Sequence, residues 1–187
     1  PKTKPPYANV DTVMLTLLLI ESFRRATGRP ILGLGKEEAP SLEISDAPRA
    51  LFEAPLAILA HGGGGGGGGA ADPAFTYASA AALEIFQAPS WGDLVGLPSR
   101  LSAEDEPAVQ ADRAALLASS AASPAGFVTG YRGWRVGRGG RRFEIQDGTL
   151  WQVTSPSDEC VGQAVVFTRA LFEDGSEWRA GGEVAGV

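Results

Sequence analysis

Few side chains in this sequence are of the kind that perform covalent chemistry, and their spacing limits what they could do. Its 187 residues include one histidine and one cysteine, His61 and Cys160. A catalytic triad or nucleophile–base pair needs a histidine held between an acid and a hydroxyl or thiol. His61 has no such neighbour along the chain, lying between Ala60 and eight consecutive glycines, Gly62 to Gly69. A zinc centre draws on three or four Cys, His or carboxylate ligands, so this pair assigns neither a metal site nor a catalytic residue. One cysteine also rules out an internal disulfide framework, which suits a reducing compartment. The glycine run invites comparison with a phosphate cradle. The lysine and hydroxyl residue of such a loop are missing, however, and no helix opens directly behind it. The tract is expected to be a flexible loop between two strands, because it has nothing to bury and much entropy to lose. Charge supplies the remaining candidate. Arg132, Arg135, Arg138, Arg141 and Arg142 crowd one stretch with no acid among them. They form a candidate anion patch for an acidic partner, a nucleic-acid backbone or the acidic turn Glu104 to Glu106 of another copy. The plainer reading is a charged, solvated strand edge that discourages aggregation.

Those arginines sit on a long β-hairpin, read over Gly126 to Val153. One run, Phe127 to Val136, leads through Gly137-Arg138-Gly139-Gly140 into a second that alternates. Phe143, Ile145, Thr149, Trp151 and Val153 fall on one side; Arg142, Glu144, Gln146, Gly148 and Gln152 fall on the other. Only Asp147 and Leu150 break the count. A period of two with aromatic and β-branched residues on one side describes a strand with one buried face. Phe143, Ile145 and Trp151 are therefore expected to point the same way.

The rest of the chain supplies elements to cover that face. Residues 1–10 read as a loose lead-in. From Asp11 the pattern is helical, with Val13, Leu17 and Ile20 on one stripe and Phe23 extending it; Asn9 or Asp11 caps the start, and Arg24, Arg25, Gly28 and Pro30 close it. The helix is apolar nearly all round, so Val13, Leu17, Ile20 and Phe23 are a candidate interface to a second surface. Its apolar run is too short to span a bilayer. A connector follows, then a short helix, Ala47 to Ala54, and a compact strand, Leu56 to Ala60. Beyond the glycines come a strand, Phe75 to Ala78, and a helix capped by Ser79, Ala80 to Gln87. Ser90 and Asp93 are placed to cap one another. An Ala-rich helix is predicted over about 103–121, a last strand over Cys160 to Phe172, and a fraying tail over 173–187 anchored by Trp178 alone.

Composition agrees with one domain, 11–172, large enough to bury a core. A formal net charge of −6 and a pI near 4.8 argue against a general nucleic-acid or anionic-membrane binder. A soluble intracellular setting is favoured. The first residue is Pro1, which leaves room for an upstream segment or a cleaved targeting peptide.

Helix, strand, strand, short helices and three long strands make an α+β fold: a five-stranded antiparallel sheet with helices gathered over one face and an N-terminal helix. At the level of motifs, Ala50-Leu51-Phe52-Glu53-Ala54-Pro55, the run Tyr77 to Phe86, Leu97-Pro98-Ser99-Arg100, Gly140-Arg141-Arg142-Phe143 and the stretch Trp151 to Ala164 resemble the MEKHLA domain. That domain is similar to the PAS fold and occurs alone or at the C-terminus of plant class III homeodomain-leucine zipper transcription factors. The polyglycine insertion departs from its pattern. The resemblance implies a sensory or regulatory module that works through a pocket beneath the sheet or by pairing with a protein partner or a second copy. The candidate pocket draws on Phe75, Tyr77, Leu83, Phe86, Phe143, Ile145, Trp151, Val165 and Phe167, although aromatics at strand spacing are ordinarily packed core. No cofactor is assigned. Flavin-photoadduct relatives carry a reactive cysteine in an Asn-Cys-Arg-Phe-type motif absent here, and haem-binding relatives use a helical histidine, which His61 is not. A flavin or haem sensor stays the alternative to a non-catalytic association module. The resemblance is expected to stand or fall with Phe143, Ile145 and Trp151 sharing a face.

Overall fold

The computed structural model describes residues 4–34, 41–62, 73–102 and 124–181. The predicted Ala-rich helix, the acidic turn Glu104 to Glu106 and all of the glycine tract except Gly62 lie outside them. Among the described residues three α-helices, α1 (Val10–Thr27), α2 (Ala47–Glu53) and α3 (Ala80–Ile85), accompany seven strands. These are β1 (Ala57–Gly62), β2 (Phe75–Ala78), β3 (Phe127–Val136), β4 (Arg142–Thr154), β5 (Cys160–Phe167), β6 (Arg169–Phe172) and β7 (Glu177–Arg179). The cap chemistry of α1 is as expected. Asn9 accepts from the Asp11 N–H at 2.9 Å, and the Gly28 N–H donates to the Arg24 carbonyl beyond the basic last turn. Ser79 caps α3 by accepting from the Ala82 N–H at 3.2 Å. Ser90 behaves differently from the predicted reciprocal cap: its hydroxyl donates to the Asp93 carboxylate at 2.7 Å, side chain to side chain, over a single 3-10 turn.

All strand pairs are antiparallel. β5 and β6 are the expected last strand broken at Thr168, and both pair with β4, β5 along Thr149–Thr154 and β6 along Phe143–Gln146. With β5 and β6 taken together, the lateral order is β2-β1-β5/β6-β4-β3. β7 adds a seventh strand beside β6 within the stretch expected to fray: Trp178 pairs with Ala170 and is buried against Phe167 at 6.2 Å.

The one-face reading of β4 fails, for a local reason. Phe143 and Ile145 face the inner core with Leu150, whereas Trp151 and Val153 face an outer core. Asp147 adopts a left-handed φ of 54° and inserts one extra residue between the pairs Gly133–Ile145 and Tyr131–Gly148. Such a bulge shifts the side-chain period by one residue, so every later side chain changes sides. Its neighbours shift at the same level. β3 bulges at Gly130, whose φ is 72°, and the β5–β6 strand breaks at Thr168, after which Ala170 and Phe172 take over the inner side from Val165 and Phe167. Because all three strands change phase together, their ladders stay paired while both faces remain apolar.

Helices consequently cover both sides of the sheet, not one. The outer core receives α1 and α2: Leu19, Phe23 and Leu51 pack on Ile58, Tyr77, Trp151, Val153 and Val166. Phe23 meets Trp151 edge-on at 5.0 Å, and the Trp151 Nε1–H donates to the Ser22 hydroxyl at 3.1 Å. Arg25 fastens the end of α1 to the β4–β5 turn through the Asp158 carboxylate at 2.8 Å and the Thr154 and Ser155 carbonyls at 3.0 and 2.9 Å. The inner core receives α3 and the segment after it, with Ile85, Phe86 and Leu94 on Phe75, Phe143 and Phe167.

Candidate functional site

A small hollow opens between the inner face and the 3-10 turn Ser99–Ser102, with a volume of about 40 Å³. β3 supplies its polar wall. Tyr131, Gly133 and Arg135 recur at a spacing of two, which puts all three on the inward side of the strand. A Cβ on Gly133 would lie 2.6 Å from the Tyr131 hydroxyl and 3.3 Å from Arg135 Nη1, so the missing side chain is what lets Tyr131 and Arg135 meet across it. They do meet: Arg135 Nη2 donates a short hydrogen bond to the Tyr131 hydroxyl, and Nη1 donates to the Trp134 carbonyl at 2.6 Å. Arg135 is only 8% exposed and Tyr131 3%. The apolar wall is Leu59, Phe75, Ile145, Leu150 and Val165, and His61 and Gln163 complete the rim from β1 and β5. Phe75 and Ser102 also wall an adjoining cleft of about 250 Å³, bounded by Phe86, Leu94, Leu97 and Leu101 and by Arg138 from the hairpin turn.

Of the nine candidate pocket residues, Phe75, Phe86, Phe143, Ile145 and Phe167 are buried in the inner core, and Leu83 and Val165 pack against it half-buried. Tyr77 and Trp151 belong to the other side of the sheet. A bulge between β1 and β2 puts Tyr77 there, since Ala60 pairs with Tyr77 but His61 with Phe75. Burial pushes the Tyr77 hydroxyl well above its ordinary range, with the nearby Thr16 hydroxyl pulling slightly the other way. The pair falls short of hydrogen-bond geometry.

The five-arginine patch is not one surface. Arg135 points inward, as above. Arg132 pairs with Glu144 at 2.9 Å, Arg141 with Asp174 at 3.0 Å and Arg142 with Glu173 at 3.7 Å. The acids missing from the arginine stretch itself thus come from the neighbouring strand and the β6–β7 turn. Glu144 holds the Arg132 guanidinium above its ordinary range, and the Ser176 hydroxyl, more than Arg141, holds the Asp174 carboxyl below its own. Arg138 is exposed at the hairpin turn. Of the candidate interface, Phe23 is buried in the molecule's own core, whereas Val13 and Leu17 line an external groove and Ile20 is half-buried. The inward set Tyr131, Arg135 and Leu150 was not predicted. Alternation counted along β3 from Tyr131 carries the signal for Arg135; treating the hairpin arginines as a group hides it.

Cys160, at the start of β5, is exposed and donates weakly to the Gly162 carbonyl at 3.4 Å. Among the described residues no group of three His, Cys, Asp or Glu side chains could hold a metal ion. No helix among them is long and apolar enough to cross a membrane.

A family model described as the MEKHLA domain matches residues 13–172. The chain belongs to the MEKHLA domain family. That membership holds although Phe143 and Ile145 face away from Trp151, so a shared face was too strict a criterion: the bulge at Asp147 keeps both cores while dividing the three side chains between them. Among solved structures, the MEKHLA chain is similar to a PAS domain from Colwellia psychrerythraea, with a TM-score of 0.53, 12% identity and coverage of 66% of this chain and 92% of that one. It is also similar to an RNA-binding Light-Oxygen-Voltage receptor, with a TM-score of 0.51, 16% identity and coverage of 74% of this chain and 36% of that one. These likenesses establish a PAS-like fold. No curated protein matches the sequence.

Proposed function

We propose that this MEKHLA domain is a non-catalytic sensory or regulatory module that acts by associating with a second copy of itself, with a small ligand beneath the sheet as its signal. The observation that carries the association half is the outward side of α1. Met14 is 58% exposed and Val10 74%, and Ile44 from the facing turn is 75% exposed. Ile44 lines a groove of about 420 Å³ with Tyr7, Val13, Leu17 and Pro48, mainly apolar but with Asp46 and Arg49 also on it, and Val10 and Met14 lie on the same helix as Val13 and Leu17. Apolar knobs next to an apolar groove on one surface are what a two-fold, self-complementary interface requires, and exposed apolar patches of this kind ordinarily mark contact sites. The same helix is sealed to the sheet through Trp151, so a partner on α1 is one layer away from the inner hollow.

Sedimentation velocity tests this. A dimer is expected at high micromolar concentration, and Met14→Glu is expected to weaken it tenfold or more while leaving the melting temperature within a few degrees, since surface substitutions away from the core are nearly neutral. A strict monomer in the unmodified chain removes the reading. The alternative, a chromophore-binding sensor, draws support from the fold alone. Purified protein incubated with flavin mononucleotide or haemin and then desalted is expected to show no visible absorbance, and a stoichiometric coloured complex would reverse that preference.

A further inference from the structure

The hollow carries a charge that nothing described neutralises. Arg135 is more than nine-tenths buried, and among the described residues no carboxylate pairs with it. A guanidinium keeps its proton in proteins and offers five N–H donors; here one serves a backbone carbonyl and one the Tyr131 hydroxyl. A buried cation without a counter-charge is costly, and such groups are paired in stable proteins. We infer that the hollow is a receptor site for a small organic monocarboxylate, whose carboxylate lies on Arg135 and whose apolar body extends past Phe75 toward the adjoining cleft.

Three observations choose this ligand class. One guanidinium balances one negative charge, and its planar fork matches a carboxylate's two oxygens. The polar end measures about 40 Å³, which suits the smaller, planar carboxylate head better than a tetrahedral phosphate. Beyond Phe75 and Ser102 a cleft of about 250 Å³ is walled mainly by apolar side chains, Leu94, Leu97 and Leu101 among them, with Arg138 as the one charged residue among those described, which suits a short hydrocarbon or a single aromatic ring. Tyr131 holds the guanidinium from the side and Gly133 leaves the gap through which they touch, so the head site is built before any ligand arrives.

This deepens the ligand half of the proposed function and is separable from the association half. A protein that binds carboxylates as a monomer retains this inference and loses the dimer; a dimer indifferent to carboxylates does the reverse. The test is calorimetric titration and thermal melting of the full chain with sodium hexanoate and benzoate, against hexanamide and benzamide as neutral shapes, at fixed ionic strength. The carboxylates are expected to raise the melting temperature with concentration and to bind at least tenfold more tightly than their amides. Arg135→Met is expected to melt at or above the unmodified temperature in the absence of ligand, having lost an unpaired buried charge, and to bind hexanoate at least tenfold more weakly. Tyr131→Phe, which keeps the ring, is expected to weaken binding severalfold. Equal binding of acid and amide, or no response to either carboxylate, overturns the inference. So does energetic coupling between Arg135→Met and neutralisation of Glu104, Asp105, Glu106 or Asp112, because the counter-charge would then be the chain's own.

Discussion

Trp151→Ala is expected to lower the stability of the domain by about 3–5 kcal/mol, the usual loss for a buried aromatic cut to alanine. The side chain is 0% exposed, lies edge-on to Phe23 and donates to Ser22, so truncation removes packing area, a ring pair and a buried hydrogen bond together. Against a typical total of about 5–15 kcal/mol, that is a large fraction. The melting temperature should fall by about 6–20 °C. Location makes the variant informative beyond its size. Trp151 holds α1 to the outer face, so limited proteolysis should first cut near α1, and the inner hollow should keep its response to carboxylates in the protein that remains folded. Trp151→Phe, which keeps the ring but not the N–H, should recover most of the loss. A Trp151→Ala variant that melts like the unmodified chain would contradict the outer core as described.

Ser79→Ala is the second large effect, from an exchange of a single oxygen. The hydroxyl caps α3 at the Ala82 N–H, accepts from the Ile58 N–H at 3.0 Å and donates to the Leu56 carbonyl at 2.6 Å. One fully buried atom therefore joins the start of β1 to the start of α3. A lost cap costs about 1 kcal/mol, and stranding buried backbone groups adds about 1–3 kcal/mol, so a total loss of roughly 2–4 kcal/mol is expected. Chemical denaturation with urea should show it as a lower midpoint at unchanged slope. Ser79→Thr, which keeps the oxygen but adds a methyl at a fully buried position, should recover only part. A midpoint equal to the unmodified protein's would mean that water replaces the serine at this junction.

Much of this architecture is legible in the sequence, and the illegible part has physical causes. The bounds of β2 and β3 follow from β-branched and aromatic runs stopped by Gly and Pro, and those of α1 from Asn9 and Gly28. What alternation could not supply was the phase change within β4. Asp147 is one of the few residue types that enter the left-handed region readily, yet Asp beside Gly reads equally well as a polar interruption of an even strand. Without that change Trp151 appears to join Phe143, and the helices appear to need one face only. In the tail Trp178 is legible as an anchor, but a three-residue strand in polar, Gly-rich surroundings carries no alternation to read, and the inward place of Arg135 emerges only when register is weighed before charge. Outer and inner roles of aromatic residues in this domain are thus decided by short irregularities, at Asp147, Gly130 and Thr168 and in the β1–β2 pairing beside Tyr77, more than by the residues themselves.

The shared phase change also governs which length changes the gene can tolerate. Removing one codon from an ordinary loop shortens a connection, but removing Asp147 would invert the later half of its strand, driving Trp151 and Val153 into the inner core where Leu150 and Gly148 now sit and turning Leu150 to the outer side. Compensation would require matched deletions in two other strands at once. Indels should therefore collect at the surface loops and spare the middle of the sheet, whatever the sequence there becomes.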